Sequence, residues 1–528
     1  MAAPNRLLSG IMTVGGWTMA SRILGFARDV MIAAFLGAGP VAEAFLVAFS
    51  LPNMFRRFFA EGAFNTAFVP MFSKKVEAGE DAAAFARQAF SALAAILVVF
   101  SVVAIVAMPA LVVAMASGFL EDERFPLAVA FGRIAFPYIL LVSLAALVSG
   151  VLNSVGRFTA AAAAPVLLNI VFIAAIWLGA RVFDIHEAGP PGVPDDTLTV
   201  GYVLAWAVPL GGLIQLGLVW WAAARAGFPM VPGRPRITPE LRRLAAIAAP
   251  AALAGGVVQV NLLVGRQVAS FFDGAIAWLS YADRLYQLPL GVVGIAIGVV
   301  LLPELSRRLR AGDAEGGRWA FNRAGEIALA LSIPATVALV AMPGALVSVL
   351  FGRGAFDAGD VAATSLAVVI YALGLPAFVI QKVLQPLFFA REDTRSPFRY
   401  ALWSMAVNVG VALGLAPAIG WPAAALGTTL AAWAMAALLW RGSRGMGAEA
   451  ALDDRFAARL WRIVAASLVM GAVLAGSVWA ASGLLADAGW RVLALAGIVV
   501  VGAVVYFAAG IAFGAFSRAD LKGAVRRG

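Results

Sequence analysis

The stretch SALAAILVVFSVVAIVAMPALVVAM, residues 91–115, contains no charged side chain. An uncharged apolar run of about 18 residues or more is typical of a transmembrane helix. The whole chain has this character, because 62% of its 528 residues are hydrophobic and only 13% are charged. A soluble fold lacks the polar surface needed to cover so much apolar material. The composition therefore predicts an all-α polytopic membrane protein and excludes a soluble enzyme.

Fourteen apolar segments follow one another along the chain, with boundaries accurate to about four residues. They cover 8–36, 42–70, 84–115, 127–152, 160–180, 199–224, 240–271, 276–304, 320–350, 360–389, 398–416, 421–440, 460–483 and 489–514. With the N-terminus in the cytoplasm, about 27 of the 39 Lys and Arg fall on the cytoplasmic side and about four on the other. This bias predicts fourteen transmembrane helices with both termini in the cytoplasm. It also explains the net charge of +10 without nucleic acid as a partner.

The chain repeats itself. VPMFSKKVEAGE at 69–80 returns as LPELSRRLRAGD at 302–313, and VAMP at 106–109 returns at 340–343. Six spans in each copy bring both copies into the membrane from the same side, so the repeats are parallel. We expect two parallel six-helix lobes around a central cavity, and two extra C-terminal helices. The predicted divisions are 1–230 for the N-terminal lobe (spans 1–6), 235–445 for the C-terminal lobe (spans 7–12) and 455–516 for spans 13–14.

Charged residues lie inside the predicted spans, where they are expensive to bury in lipid. The cations are Arg22, Arg28, Arg56, Arg57, Arg133, Arg266, Arg284 and Lys382, and the acids are Asp29, Glu43, Glu61, Asp283 and Glu304. A cation facing lipid at mid-membrane costs about 2.5–3.5 kcal/mol. Most of these side chains must therefore face one another or a water-filled cavity. The excess of cations favours an anionic substrate with several oxygens, because a guanidinium offers a planar fork of donors that matches phosphate.

Helical spacing separates pairs from candidates for ligand binding. Arg57 and Glu61 lie four residues apart on span 2, which favours a structural ion pair. A binding role is favoured for three arginines that have no acid three or four residues away, namely Arg28, Arg56 and Arg284. Structural and functional explanations stay open for three more residues, namely Arg22, Asp29 and Lys382.

Three long motifs carry a resemblance to a known family. They are ASRILGFARDVMIAAFLGAG at 20–39, AFLVAFSLPNMFRRFFAEGAFNTAFVPMF at 44–72 and SYADRLYQLPLGVVGIAIGVVLLPELS at 280–306. Together with the rest of the chain, they closely resemble the MurJ/MviN family of lipid II flippases, within the multidrug/oligosaccharidyl-lipid/polysaccharide (MOP) exporter superfamily. Lipid II is the undecaprenyl-diphosphate-linked disaccharide-peptide from which bacterial peptidoglycan is built.

The resemblance implies a function in cell-wall biogenesis and a set of site residues. A family member flips lipid II from the cytoplasmic to the outer leaflet of the bacterial inner membrane by alternating access. Its partners are lipid II and membrane lipids, and contacts with the cell-wall synthesis machinery are a further hypothesis. Spans 13–14 are expected to form a groove for the lipid tail. The residues implied in substrate binding are Arg22, Arg28, Asp29, Arg56 and Arg284, and those associated with transport are Glu43, Glu61, Asp283 and Lys382.

Two other classes of membrane protein are alternatives to a lipid II flippase. The alternative within the superfamily is an exporter of another polyprenyl-linked oligosaccharide or of drugs. A membrane enzyme would need a catalytic base or a metal-binding acid cluster. The chain has one His and no Cys, so we expect no catalytic residue and no metal site. It also lacks a phosphate-binding loop of the G-x-x-x-x-G-K-[ST] type. We therefore expect no cofactor, and transport driven by the membrane potential or an ion gradient rather than by ATP.

Overall fold

The computed structural model describes residues 3–56, 59, 63–182, 197–234 and 238–516, and within these ranges the chain forms helices and no β-strand. The α-helices in chain order are α1 Ala3–Leu36, α2 Pro40–Arg56, α3 Ala63–Glu77, α4 Ala82–Val106, α5 Met108–Met115, α6 Arg124–Ala135, α7 Tyr138–Ser154, α8 Phe158–Val182, α9 Thr197–Arg225, α10 Pro239–Ala269, α11 Ala275–Arg310, α12 Ala314–Ala341, α13 Pro343–Leu350, α14 Ala358–Phe389, α15 Arg395–Ile419, α16 Pro422–Ser443, α17 Asp454–Ala480, α18 Ser482–Ala486 and α19 Arg491–Ala512.

Ten helical segments in the described part of the chain are long and apolar enough to cross a membrane. They are Ala82–Val106, Arg124–Ser154, Phe158–Val182, Thr197–Arg225, Ala314–Ala341, Ala358–Phe389, Arg395–Ile419, Pro422–Ser443, Ala448–Ala480 and Arg491–Ala512. They coincide with ten of the fourteen spans expected from the sequence. The other four expected spans fall on α1, on α2 with α3, on α10 and on α11. The all-helical, multi-span architecture is confirmed, and the count of fourteen stays a prediction.

The internal repeat is visible in local structure. Gly79 and Gly312 both adopt a positive φ, near +69° and +68°. An aspartate caps the next helix two residues after Gly79 and one residue after Gly312, because Asp81 accepts a hydrogen bond from Ala84 N and Asp313 accepts one from Gly316 N, each at 2.8 Å. A capping carboxylate satisfies a backbone N–H that has no partner within the helix. The two copies therefore begin α4 and α12 in the same way.

The second repeated motif interrupts a span in each copy. At VAMP 106–109, α4 ends and the eight-residue α5 begins; at VAMP 340–343, α12 ends and the eight-residue α13 begins. Both prolines occupy the first turn of the new helix, where the missing N–H and the fixed φ are tolerated. The expected spans 84–115 and 320–350 are thus each two helices in sequence.

The described chain packs as two compact units. One comprises the chain up to Ala277 together with Arg353–Phe356, and the other comprises Trp278–Gly352 and the chain from Asp357 onward. The division by packing falls inside the first turn of α11, whereas the repeat places its boundary at 230–235. The two six-helix lobes defined by the repeat remain a prediction.

In the first unit, α1 packs along α8, α8 along α9, and α2 against α6. The short segment Arg353–Phe356 closes over the end of α1, where Ala355 N donates to Ala34 O at 2.8 Å. Gly37 turns the chain after α1 with φ +61°, and a side chain there would collide with the Ala355 carbonyl oxygen. Glycine is required by both the backbone angle and the close approach.

In the second unit, α12 packs on α14 and α17, α14 on α16, and α17 on α19. The last two spans belong to the core of this unit, because a buried cluster joins Met342 and Val349 to Met470 and Leu474 of α17 and to Ile498 of α19. Tyr506 completes this contact by donating its hydroxyl to Ala330 O at 2.6 Å.

Candidate functional site

The centre of the candidate site is an arginine–aspartate pair on α1. Arg28 donates to Asp29 Oδ1 from Nε at 2.9 Å and from Nη2 at 2.7 Å. Both residues are buried, each with 7% of its surface exposed. The expectation that no partner in its own helix explains Arg28 is wrong, because the adjacent carboxylate reaches the guanidinium directly. Spacing rules for helix pairs consider three and four residues and miss a pair made by long side chains of neighbours.

A second helix holds the other side of this arginine. Arg28 Nη1 donates to Asn169 Oδ1 at 3.0 Å, and Asn169 Nδ2 donates to the Ser21 carbonyl at 2.9 Å. Asn169 lies on α8 and is also buried. The amide thus ties α8 to α1 at two points. A buried network with these groups satisfied holds its side chains in one arrangement.

Two aromatic rings flank the guanidinium. Its central carbon lies 5.4 Å from the Phe172 ring centre and 5.9 Å from that of Phe49, and these rings pack edge to face. Aromatic faces attract a cation and exclude water. Arg28 has five N–H groups. Three have acceptors in Asp29 and Asn169, which leaves one N–H on each terminal nitrogen without an acceptor among the described residues. The site can therefore present two donors from one plane to an anionic oxygen.

Arg22 and Arg56 are the other two predicted substrate-binding cations of the first unit. Arg22, on α1, has an exposed side chain and no ion pair within the described residues. Arg56 is partly buried in the last turn of α2. A cation in that position is favoured by the partial negative charge of the helix end.

Glu43 belongs to a different network. It is 1% exposed, and its Oε2 accepts a hydrogen bond from Arg124 Nη1 at 2.8 Å. Its Oε1 accepts from the backbone N–H of Ile276 at 2.9 Å. Since Ile276 stands in the first turn of α11, the carboxylate caps that helix. One buried acid therefore joins α2, α6 and the start of α11.

Arg124 gathers three acids around it. Besides Glu43, it contacts Asp122 at 2.5 Å and Asp273 at 3.1 Å, and its guanidinium lies 4.4 Å from the Phe119 ring centre. Burial acts to raise the pKa of Asp122, but hydrogen bonds from the Arg124 side chain and backbone outweigh it and hold the pKa below its ordinary value. Asp122 therefore stays ionised beside the Arg124 guanidinium.

The second unit carries the other predicted residues. Asp283 accepts a hydrogen bond from Gln287, one turn later on α11. Arg284 and Lys382 both have exposed side chains, on α11 and α14. Tyr286 of the same motif is buried against the Tyr371 and Phe378 rings. The polar residues of this motif thus lie on the exposed side of α11 and its tyrosine on the packed side.

Some predicted residues fall outside the described part of the chain, and the sequence interpretation missed others. Glu61 and its expected partner Arg57 are outside the described residues. Arg124 and Asn169 were not among the predicted site residues, although each joins one of the buried networks. A lone amide in the apolar span 160–180 is the signal that could have identified Asn169, since such residues are costly in lipid and need partners.

Comparison with known proteins decides the family. The profile described as "Lipid II flippase MurJ" matches residues 32–501. The chain belongs to the MurJ family. A relative from Rhizobium meliloti (strain 1021), named "Probable lipid II flippase MurJ", is 43% identical over 99% of this chain and 97% of its own length. A Burkholderia cenocepacia relative named "Lipid II flippase MurJ" is 36% identical over 84% of each chain.

Solved structures agree with this fold. A MurJ described as "Lipid II flippase MurJ, inward closed conformation" matches with a TM-score of 0.76 and 23% identity, over 95% of this chain and 98% of the other. An inward-facing multidrug resistance transporter of the MATE family in the MOP superfamily matches with a TM-score of 0.67 and 14% identity, over 81% and 95%. At these identities the matches establish the shared fold alone, so MurJ membership rests on the sequence relatives.

Proposed function

We propose that this chain moves lipid II from the cytoplasmic to the outer leaflet of the bacterial inner membrane by alternating access. The observation that carries the proposal is the relationship to proteins named as lipid II flippases, which extends over nearly the whole chain. Such a protein is a transporter and performs no bond-breaking step. The family relationship favours this function over export of drugs or of other polyprenyl-linked sugars.

The Arg28 centre supports the proposal chemically. A diphosphate carries several anionic oxygens, and a planar guanidinium can donate to two of them at once. Asp29 and Asn169 occupy the inner edge of the guanidinium and fix its plane. Arg28 then binds through its two remaining N–H groups, and the exposed cation Arg22 on the same helix adds to the positive potential. Arg56, Arg284 and Lys382 are proposed as further contacts for the anion.

The proposed energy source is the membrane potential or an ion gradient, without a cofactor. Moving one charge through 100 mV is worth about 2.3 kcal/mol, which is enough to bias a transport cycle. The proposed orientation places both termini in the cytoplasm, because this arrangement puts the Lys and Arg excess inside. Lipid II and membrane lipids are the proposed partners, and contacts with cell-wall synthesis proteins are a further proposal.

The experiment replaces the native flippase of a bacterium with this chain under depletion. We expect growth to be restored, and lipid II to become accessible to a lipid II-cleaving enzyme added outside the cell. Arg28→Ala should leave lipid II accumulated and protected, with normal protein levels. Arg181→Ala is the matched control, because Arg181 stacks on Trp177 at the end of α8, outside the Arg28 centre. Accumulation of a different polyprenyl-linked precursor on depletion would contradict the proposal.

A further inference from the structure

The second unit contains an apolar cleft that the Arg28 centre does not use. Its volume is about 320 Å³, and every one of its fourteen lining residues is apolar or glycine. Its lining residues lie on α12, α14, α16 and α17, with Leu452 just before α17, and these helices pack against one another. None of the predicted substrate or transport residues lines it. It is large enough for part of a ligand, since binding pockets start at about 300 Å³.

The cleft opens along surface that is apolar. Trp433 and Ala437 of α16 line it and are exposed, and next to it on α17 the Trp461 side chain is 75% exposed. Trp433 donates its ring N–H to Leu373 O at 3.0 Å, so it presents only hydrocarbon to the opening. Helices 22 to 32 residues long with such surfaces lie in the bilayer. A lipid acyl chain is therefore the group that can enter this opening from the membrane.

Three arginines lie near one end of the cleft. Arg318 donates from Nη2 to the carbonyl of Leu452, a lining residue, at 2.6 Å. Arg444 lies over the ring of Trp440, another lining residue, at 6.0 Å. Arg455, in the first turn of α17, has a side chain that is 51% exposed. The three arginines therefore lie beside the lining residues Leu452, Trp440 and Phe456, which mark one end of the cleft.

Two of these three arginines keep their charge without an ion pair to a neighbouring acid. Glu326 forms ion pairs with Arg323 at 2.5 Å, with Arg459 at 2.8 Å and with Arg455 at 3.7 Å. Glu449 is taken up by Arg391 at 2.6 Å. Arg318 and Arg444 have only neutral partners and form no ion pair within the described residues. Positive charge therefore remains beside the apolar cleft.

We propose that this cleft is a binding site for an anionic phospholipid of the phosphatidylglycerol type. One acyl chain occupies the cleft, and the phosphate lies against Arg318 and Arg444, with Arg455 nearby. A zwitterionic phospholipid presents an ammonium group to the same arginines and binds less well. The proposed occupant is a structural or regulatory lipid, because the lining includes no residue of the Arg28 centre; Phe456 and Leu460 of span 13 do line it, and the family resemblance implies that span in holding the substrate tail. The inference does not depend on the proposed function.

The test uses the full chain purified in detergent, with native mass spectrometry to count retained lipid during titration. We expect phosphatidylglycerol to bind more tightly than phosphatidylcholine with the same chains. A cation near an anionic headgroup contributes about a five-fold effect on affinity. Arg318→Gln and Arg444→Gln should each weaken phosphatidylglycerol binding by about that factor. Arg225→Gln is the matched control, since Arg225 stacks on Trp221 at 4.1 Å at the end of α9, and neither residue lines the cleft.

The part of the site that binds the acyl chain is tested separately. Ala437→Phe fills the cleft from an exposed position and should abolish phosphatidylglycerol retention, whereas Leu430→Phe, exposed on the same helix outside the lining, should not. Equal binding of the two phospholipids, or retention unchanged by Ala437→Phe, would overturn the proposal. Displacement of phosphatidylglycerol by undecaprenyl diphosphate, with loss of that displacement in Ala437→Phe, would also overturn it and assign the cleft to the substrate tail.

Discussion

Arg28 and Asn169, 141 residues apart in sequence, are joined by a 3.0 Å hydrogen bond from Nη1 to Oδ1. The same amide donates to the carbonyl of Ser21, which lies about two helical turns before Arg28 on α1. Asn169 therefore fixes the guanidinium relative to the helix that carries it. This geometry makes Asn169 a positioning residue for Arg28, so α1 and α8 together build the proposed substrate site.

Removing this amide should impair binding more than folding. We expect Asn169→Leu to lower lipid II affinity and transport, because the guanidinium loses its fixed plane. The stability loss should be about 1–3 kcal/mol, the usual cost of leaving a buried donor unpaired. Asn408→Leu is the control, as it removes a buried amide of the second unit. A lipid II titration alongside thermal unfolding separates the effects: equal binding by both variants would remove Asn169 from the site.

The fork of Arg28 should matter beyond its charge. Arg28→Ala is expected to abolish transport, and Arg28→Lys to retain only part of it, because an ammonium cannot serve Asp29, Asn169 and a phosphate from one plane. Complementation under depletion, with protein levels checked by immunoblot, measures this. Full growth with Arg28→Ala would exclude Arg28 as a substrate ligand.

The Glu43–Arg124 pair should be a large determinant of stability. Arg124→Met leaves Glu43 buried without its cation, and removing one partner of a buried pair costs about 3–5 kcal/mol. Adding Glu43→Gln should recover part of this loss, because no uncompensated charge remains. Thermal unfolding in detergent of the two single variants and the double variant gives the coupling. Additive losses would mean that the two side chains act independently.

Orientation can be tested without background labelling, because the chain has no cysteine. On the proposed topology, a cysteine at exposed Glu121 should react in intact cells with a membrane-impermeant reagent. A cysteine at exposed Glu80 should react only after permeabilisation. The opposite pattern would mean that the topology is inverted. Identical reactivity would mean that Glu80 and Glu121 lie on the same side of the membrane.

Sequence patterns predicted the helices better than the contacts. Apolar runs located the ten helical segments that are long and apolar enough to cross a membrane, and the VAMP repeat anticipated a shared feature, seen as a helix break in both copies. Composition cannot show that Asp29 turns back onto Arg28, since that depends on rotamers rather than spacing. It also cannot pair Arg124 with Glu43 on α2, because the two residues are 81 positions apart in the sequence. Such long-range partners become apparent only when the packing of the helices is known.

The central claim is that this chain translocates lipid II. The most direct measurement reconstitutes the purified protein in liposomes with fluorescent lipid II, imposes a membrane potential, and follows label reaching the opposite leaflet. We predict translocation by the unmodified chain, none above protein-free liposomes by Arg28→Ala, and normal rates for Arg181→Ala. Equal translocation by the unmodified chain and Arg28→Ala, or none by either with correctly inserted protein, would contradict the account.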